Sequence, residues 1–164
     1  MTARTYGAKY EDGLNVTEIA KRVRADISDA VKAGTLPKIA TSVRISRYSM
    51  GQSVSVTVTA TPAGFQIHNA ARLAATLKNP NGHVEHPWMS DEGRALMNAL
   101  EAIVDAYNYD GSDSMTDYYD VNFHASVTFG GELSEIHRDV LTLELRAAGK
   151  PRVHVVADCV EVAS

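Results

Sequence analysis

Between Ile39 and Ala60, two runs of residues alternate between apolar and polar side chains. Ile39, Thr41, Val43 and Ile45 interleave with Ala40, Ser42, Arg44 and Ser46. Beyond Tyr48-Ser49-Met50-Gly51, Val54, Val56, Val58 and Ala60 interleave with Ser53, Ser55, Thr57 and Thr59. Successive side chains of a strand point to opposite faces, so this period predicts a β-hairpin with one apolar and one polar face. Antiparallel sheets of that kind are commonly covered on one side only, and the rest of the chain must supply the cover. Pro62 ends the second strand, because proline cannot donate to a ladder.

Two amphipathic helices are the candidates for that cover. From Asn15 to Ala33, Val16, Ile19, Ala20, Val23, Ile27, Ala30 and Val31 recur at helical spacing. Asn15 and Glu18 stand at capping-box distance, and Gly34 supplies the C-terminal stop. Ser90 has the character of an N-cap, with Asp91 and Glu92 placed favourably against the helix dipole. Met97, Leu100, Val104 and Tyr107 then make a second stripe that ends near Asn108. A third strand carries Val121, Phe123, Ala125, Val127 and Phe129 on one face, with His124 on the other. Residues 130–164 read as a helix from Leu133 to Gly149 and a strand from Arg152 to about Val156; alternation of Leu141, Leu143 and Leu145 leaves a hairpin open as the other reading. Asn69 to Leu77 forms a short helix in this reading, and Asn79-Pro80-Asn81-Gly82 a turn. The expected architecture is α+β in two layers: an antiparallel sheet with helices packed on one face. Residues 1–14 are expected as a flexible arm and 15–164 as one domain, with 15–129 its core and 130–164 an extension.

The chain has 164 residues and a formal net charge of −4. That balance tells against a general nucleic-acid binder, whose affinity comes from neutralising phosphates. Cys159 is the only cysteine, so an intramolecular disulfide is excluded and a reducing compartment is implied. The start, Met1 to Lys9, lacks the apolar run of a signal peptide, and no stretch approaches a membrane span. The expectation is a cytoplasmic protein without membrane association.

The most unusual segment is Tyr107 to Asp120, with Asp110, Asp113, Asp117 and Asp120 interspersed with Tyr109, Tyr118, Tyr119 and several hydroxyls. Oxygen-rich loops can hold a hard cation, but the spacing is not that of an EF-hand, since Gly111 follows Asp110 directly and no glutamate closes the loop. Asp and Ser side chains capping backbone groups of a helix-to-strand connection explain the composition more simply. Tyrosines in such a loop also suit recognition, offering large area with a polar tip. His83 and His86 form one pair, short of the four ligands of a structural zinc site. There is no nucleophile elbow, phosphate loop or dinucleotide fingerprint, and no cofactor is implied. Arg44, Arg47 and Tyr48 share the hairpin and could contact phosphates with Tyr48 stacking on a base.

Three stretches together resemble a known family: Ala20 to Ile27, Ser42-Val-Arg-Ile-Ser-Arg-Tyr-Ser-Met-Gly-Gln-Ser53, and Asp110-Gly-Ser-Asp-Ser-Met-Thr-Asp-Tyr-Tyr119. Their order is similar to the large polyvalent protein-associated domain 29 family of phages and other mobile elements, over roughly residues 15 to 129. The resemblance implies a phage or mobile-element product that acts on host machinery, with disarming of a defence among its roles, and it supplies no catalytic residue. The expectation is therefore a non-enzymatic module that binds a host or element protein through Arg44, Arg47, Tyr48, Tyr109, Asp110, Asp113, Asp117 and Tyr118. Two alternatives stand beside it: a metal-dependent hydrolase using the aspartates of 110–120, and a nucleic-acid accessory protein using the hairpin.

Overall fold

A computed structural model describes the backbone of residues 4–71, 89–112, 120–148, 153–156 and 159–162. The chain divides into two compact units, Met1–Pro62 with Leu96–Phe129 and Ala63–Ala95 with Gly130–Ser164. The second unit includes the buried residues Phe65, Ile67 and Leu141.

In the first unit, helix α1 (Val16–Lys32) begins as its sequence dictates. The Asn15 side chain accepts from the N–H groups of Thr17 and Glu18 at 3.1 and 3.0 Å, satisfying two donors that a helix start leaves free. Gly34, at φ 76°, takes the left-handed conformation that ends the helix, and Thr35 and Leu36 donate back to the Ala30 carbonyl. Val16, Ile19, Ala20, Val23 and Ile27 are buried, and α1 packs against both strands of the hairpin. Each large aliphatic side chain buried this way contributes about 1.5–3 kcal/mol.

The hairpin is β2 (Ala40–Tyr48) and β3 (Gly51–Ala60), joined by Ser49-Met50 with Tyr48 opposite Gly51. Val43, Val54, Val56 and Val58 are buried, as the alternation requires. After helix α2 (Asp91–Asp105), β5 (His124–Phe129) joins the other side of β3, giving the order β2-β3-β5. The α+β class holds, with one difference: β5 runs parallel to β3, so the sheet is mixed rather than wholly antiparallel. A strand that returns after a helical crossover can lie in the same direction as the strand it left, whereas a tight turn enforces reversal.

The first fourteen residues, expected as a loose arm, include a paired strand. β1 (Thr5–Tyr6) runs antiparallel to β4 (Tyr109–Asp110), with Thr5 opposite Asp110 and Tyr6 opposite Tyr109. Gly7 and Lys9 donate to the carbonyls of Asn108 and Ala106 at 2.9 and 2.7 Å. Asn108 secures the neighbouring segment: its amide nitrogen donates to the Phe123 carbonyl at 2.9 Å and its oxygen accepts from the Phe123 N–H at 3.2 Å.

In the second unit, Ser90 caps α2 as expected, accepting from the Gly93 N–H at 2.9 Å and donating to the Gln66 carbonyl. The Ile67 carbonyl receives the Ser90 N–H, and His68 bridges to Met89. The C-terminal segment forms α3 (Gly131–Ala147) and then the antiparallel pair β6 (Val153–Val156) and β7 (Cys159–Val162). No helix among the described residues is long and apolar enough to cross a membrane. Outside the described residues lie most of the Asn69–Leu77 segment, the Asn79-Pro80-Asn81-Gly82 turn, His83, His86 and Trp88, and Asp113, Thr116, Asp117, Tyr118 and Tyr119 of the aspartate loop.

Candidate functional site

Pairing β1 with β4 gathers aromatic side chains that the sequence keeps about a hundred residues apart. The rings of Tyr6, Tyr10 and Tyr109 meet at centroid distances of 5.0, 6.1 and 5.4 Å, with Tyr10 and Tyr109 edge to face. Such offset and edge-on geometries are the ones the ring quadrupoles favour. The Arg4 guanidinium lies 4.9 Å from the Tyr109 ring centroid. Tyr6 remains 53 % exposed, while Tyr10 and Tyr109 are half-buried.

Asp120 holds this cluster together. Arg4 Nε and Nη2 reach Asp120 Oδ2 at 2.8 and 2.7 Å, and the Tyr109 hydroxyl donates to Oδ1 at 3.1 Å. The ends of the aspartate loop are tied at the same place. Gly111 donates to the Asp120 carbonyl at 2.8 Å, Asp120 N–H donates to Ser112 Oγ at 3.2 Å, and Asp110 accepts from the Ser112 N–H at 2.9 Å. These contacts set the ionisation. Burial raises the pKa of Tyr109, reinforced by Asp120, and burial also raises that of Tyr10. The Ser112 N–H holds Asp110 below the usual carboxylate range.

A cavity of about 370 Å³ opens here, lined among others by Tyr6, Gly7, Asp105, Asn108, Tyr109 and Asp110. Desolvation raises the Asp105 carboxyl. Gly7 permits the close approach of the arm, because a Cβ there would run into the carbonyl oxygens of Asp105 and Ala106. A second clasp holds the arm to α1. Lys9 Nζ and the Tyr107 hydroxyl both donate to Asp26 Oδ2, at 2.6 and 2.7 Å. Burial would push Asp26 up, but these two donors outweigh it and hold the carboxyl low.

The other expected site residues stand on the three-stranded sheet. Arg44 is exposed on the polar face, Arg47 Nη2 donates to Thr17 Oγ1 at 3.0 Å, and Tyr48 is 48 % exposed. The Tyr48 ring covers Gly51 and stacks on His124 at 6.3 Å between centroids, with 25° between planes. The eight expected residues thus divide. Arg44, Arg47 and Tyr48 belong to one sheet, Tyr109 and Asp110 to another, and Asp113, Asp117 and Tyr118 lie outside the described residues.

For a metal site, Asp120 is already neutralised by Arg4, and no group of three His, Cys, Asp or Glu side chains among the described residues is placed to hold an ion. Sequence reasoning missed Arg4, Tyr6 and Tyr10, although a tyrosine pair four residues apart beside an arginine is visible in the first ten residues. No protein-family model matches the chain, and comparison with curated proteins and with solved structures finds no match.

Proposed function

We propose that the chain is a non-enzymatic protein-binding module of a phage or mobile element, engaging a host or element protein, with counter-defence the setting implied by the domain 29 likeness. The observation that carries the reading is the Tyr6–Tyr10–Tyr109 cluster, with Tyr6 exposed, beside a cavity of about 370 Å³. Rigid aromatic side chains around a pocket are what anchor residues of an interface look like: they contribute large area at low entropic cost, and the pocket takes a side chain from the partner. Arg4, fixed over Tyr109 by Asp120, adds a donor at the rim.

The test is capture from host lysate on the tagged full chain, with and without nuclease, beside a Tyr6→Ala variant of unchanged circular dichroism. The expected result is one dominant protein that survives nuclease and is lost from the variant. Capture that collapses with nuclease would instead favour the nucleic-acid reading through Arg44, Arg47 and Tyr48. Capture indifferent to Tyr6→Ala would remove this surface from the interface. For the hydrolase reading, calorimetric titration with Ca²⁺, Mg²⁺, Mn²⁺ and Zn²⁺ decides, and heat of binding from any of them would revive it.

A further inference from the structure

The hairpin register determines which backbone groups of β2 are used. A two-residue connection makes Tyr48 and Gly51 exchange both main-chain hydrogen bonds, and the pattern alternates from there. Ser42, Arg44, Ser46 and Tyr48 therefore turn their N–H and C=O groups toward β3, while Thr41, Val43, Ile45 and Arg47 turn theirs away. Among the described residues β2 is an end strand of its sheet, so these outward groups face its unpaired edge. One of them is occupied: Arg24 Nη2 donates to the Val43 carbonyl, as the register requires of an outward group. The outward groups of Ile45 and Arg47 have no partner among the described residues.

The charge along this edge is one-sided. Arg4, Lys9, Arg22 and Lys32 each have a carboxylate within reach, whereas Arg24, Arg44 and Arg47 have none among the described residues, on a chain of net charge −4. Arg44 stands on the polar face of the sheet and Arg47 on the α1 face, where it touches Thr17. An added strand alternates its own side chains across both faces, so carboxylates on either side of it would meet a guanidinium. The same charges oppose pairing of two β2 edges from two copies, since like charges on an edge are a barrier to self-association.

We propose that the β2 edge from Ile45 to Tyr48 accepts an extended, carboxylate-bearing segment of a partner protein as an additional strand. Main-chain hydrogen bonds supply the attachment and the arginines select the acidic sequence. This rests on the protein-binding reading for the class of partner, but uses a different surface from the tyrosine cluster.

The probes are two end-blocked peptides of alternating valine with glutamate or with lysine, and oligothymidylate, each titrated into the ¹⁵N-labelled full chain. The glutamate peptide should shift the amide signals of Ile45 and Arg47 and slow their exchange, and the lysine peptide should leave them unmoved. In the Arg44→Glu/Arg47→Glu variant the preference should reverse. Equal response to both peptides, shifts elsewhere, or no response overturns the proposal. So does oligothymidylate moving these amides together with His124 and Ser126, which would make the surface a nucleic-acid site. The protein-binding reading survives such a failure, because it is tested separately through Tyr6.

Discussion

Tyr107 is only 4 % exposed, yet its hydroxyl donates to Asp26 Oδ2 at 2.7 Å, in the contact that Lys9 also makes. Burial, then the carboxylate, push its pKa from 10.0 to about 12. A group whose folded value is raised contributes stability that is complete below the unfolded value and lost as pH rises through the folded one. The protein should therefore lose stability between about 10 and about 12, and Tyr107→Phe should flatten that part of the profile. At neutral pH the same substitution should cost about 1.5 kcal/mol, the lower end for a hydrogen bond to a charged group, because Asp26 keeps Lys9. Urea titrations of both proteins across the alkaline range check both expectations. Gly7 makes a different demand. Its α-hydrogens face the carbonyls of Asp105 and Ala106, so Gly7→Ala forces β1 off β4 at a cost of about 1–3 kcal/mol. Exchange protection should then fall at residues 7 and 9, whose N–H groups donate to the Asn108 and Ala106 carbonyls, while the Val54 and Val56 amides stay unchanged.

Among the elements, α1 is where local chemistry and tertiary structure agree most fully. Asn15→Ala removes the acceptor of two amides and should lower stability by about 0.5–2 kcal/mol, read as a shift in the urea midpoint at constant slope. This helix was legible because its cap, stripe and glycine stop are all local signals. The hairpin was legible for a similar reason: Tyr48 and Gly51 fix the register, and the alternation then fixes which face is buried. The direction of β5 was not, because alternation between Phe123 and Phe129 is the same for a parallel and an antiparallel partner. The sequence does not encode locally that Ser53 will lie beside His124. β1 was hidden by length, since two residues cannot show a period. With it were hidden the roles of Arg4, Tyr6 and Tyr10 in the candidate site. Tyr109 and Asp110 could be picked out by composition, but composition says nothing about the ring that packs on Tyr109 or the arginine that neutralises Asp120.

At the scale of the whole molecule, each of the two units carries its own shifted groups. In the second unit His68 is 6 % exposed and its Nε2 donates to the Ser134 carbonyl at 3.1 Å. Burial lowers its pKa from 6.5; the Ser134 carbonyl opposes that shift, while His137 and Arg138 add to it. The folded unit thus prefers the neutral ring. Its contribution is present above about 6.5 and is lost as pH falls through the lower folded value. In the first unit Asp26 and Asp110 are held below 3.8, so their contributions persist until the solution is more acidic still, and Asp105, raised by desolvation, favours folding rather than opposing it as it takes up a proton. Moving from about pH 7 to about pH 5 should therefore lower the exchange protection factors of Ile67 and Leu141 while those of Val54 and Val56 hold. His68→Gln, which keeps a donor for Ser134 but cannot take up a proton, should remove the difference between the two sets. If the valines of β3 lost protection over the same interval, the acid response would not be confined to the second unit and could not be assigned to His68.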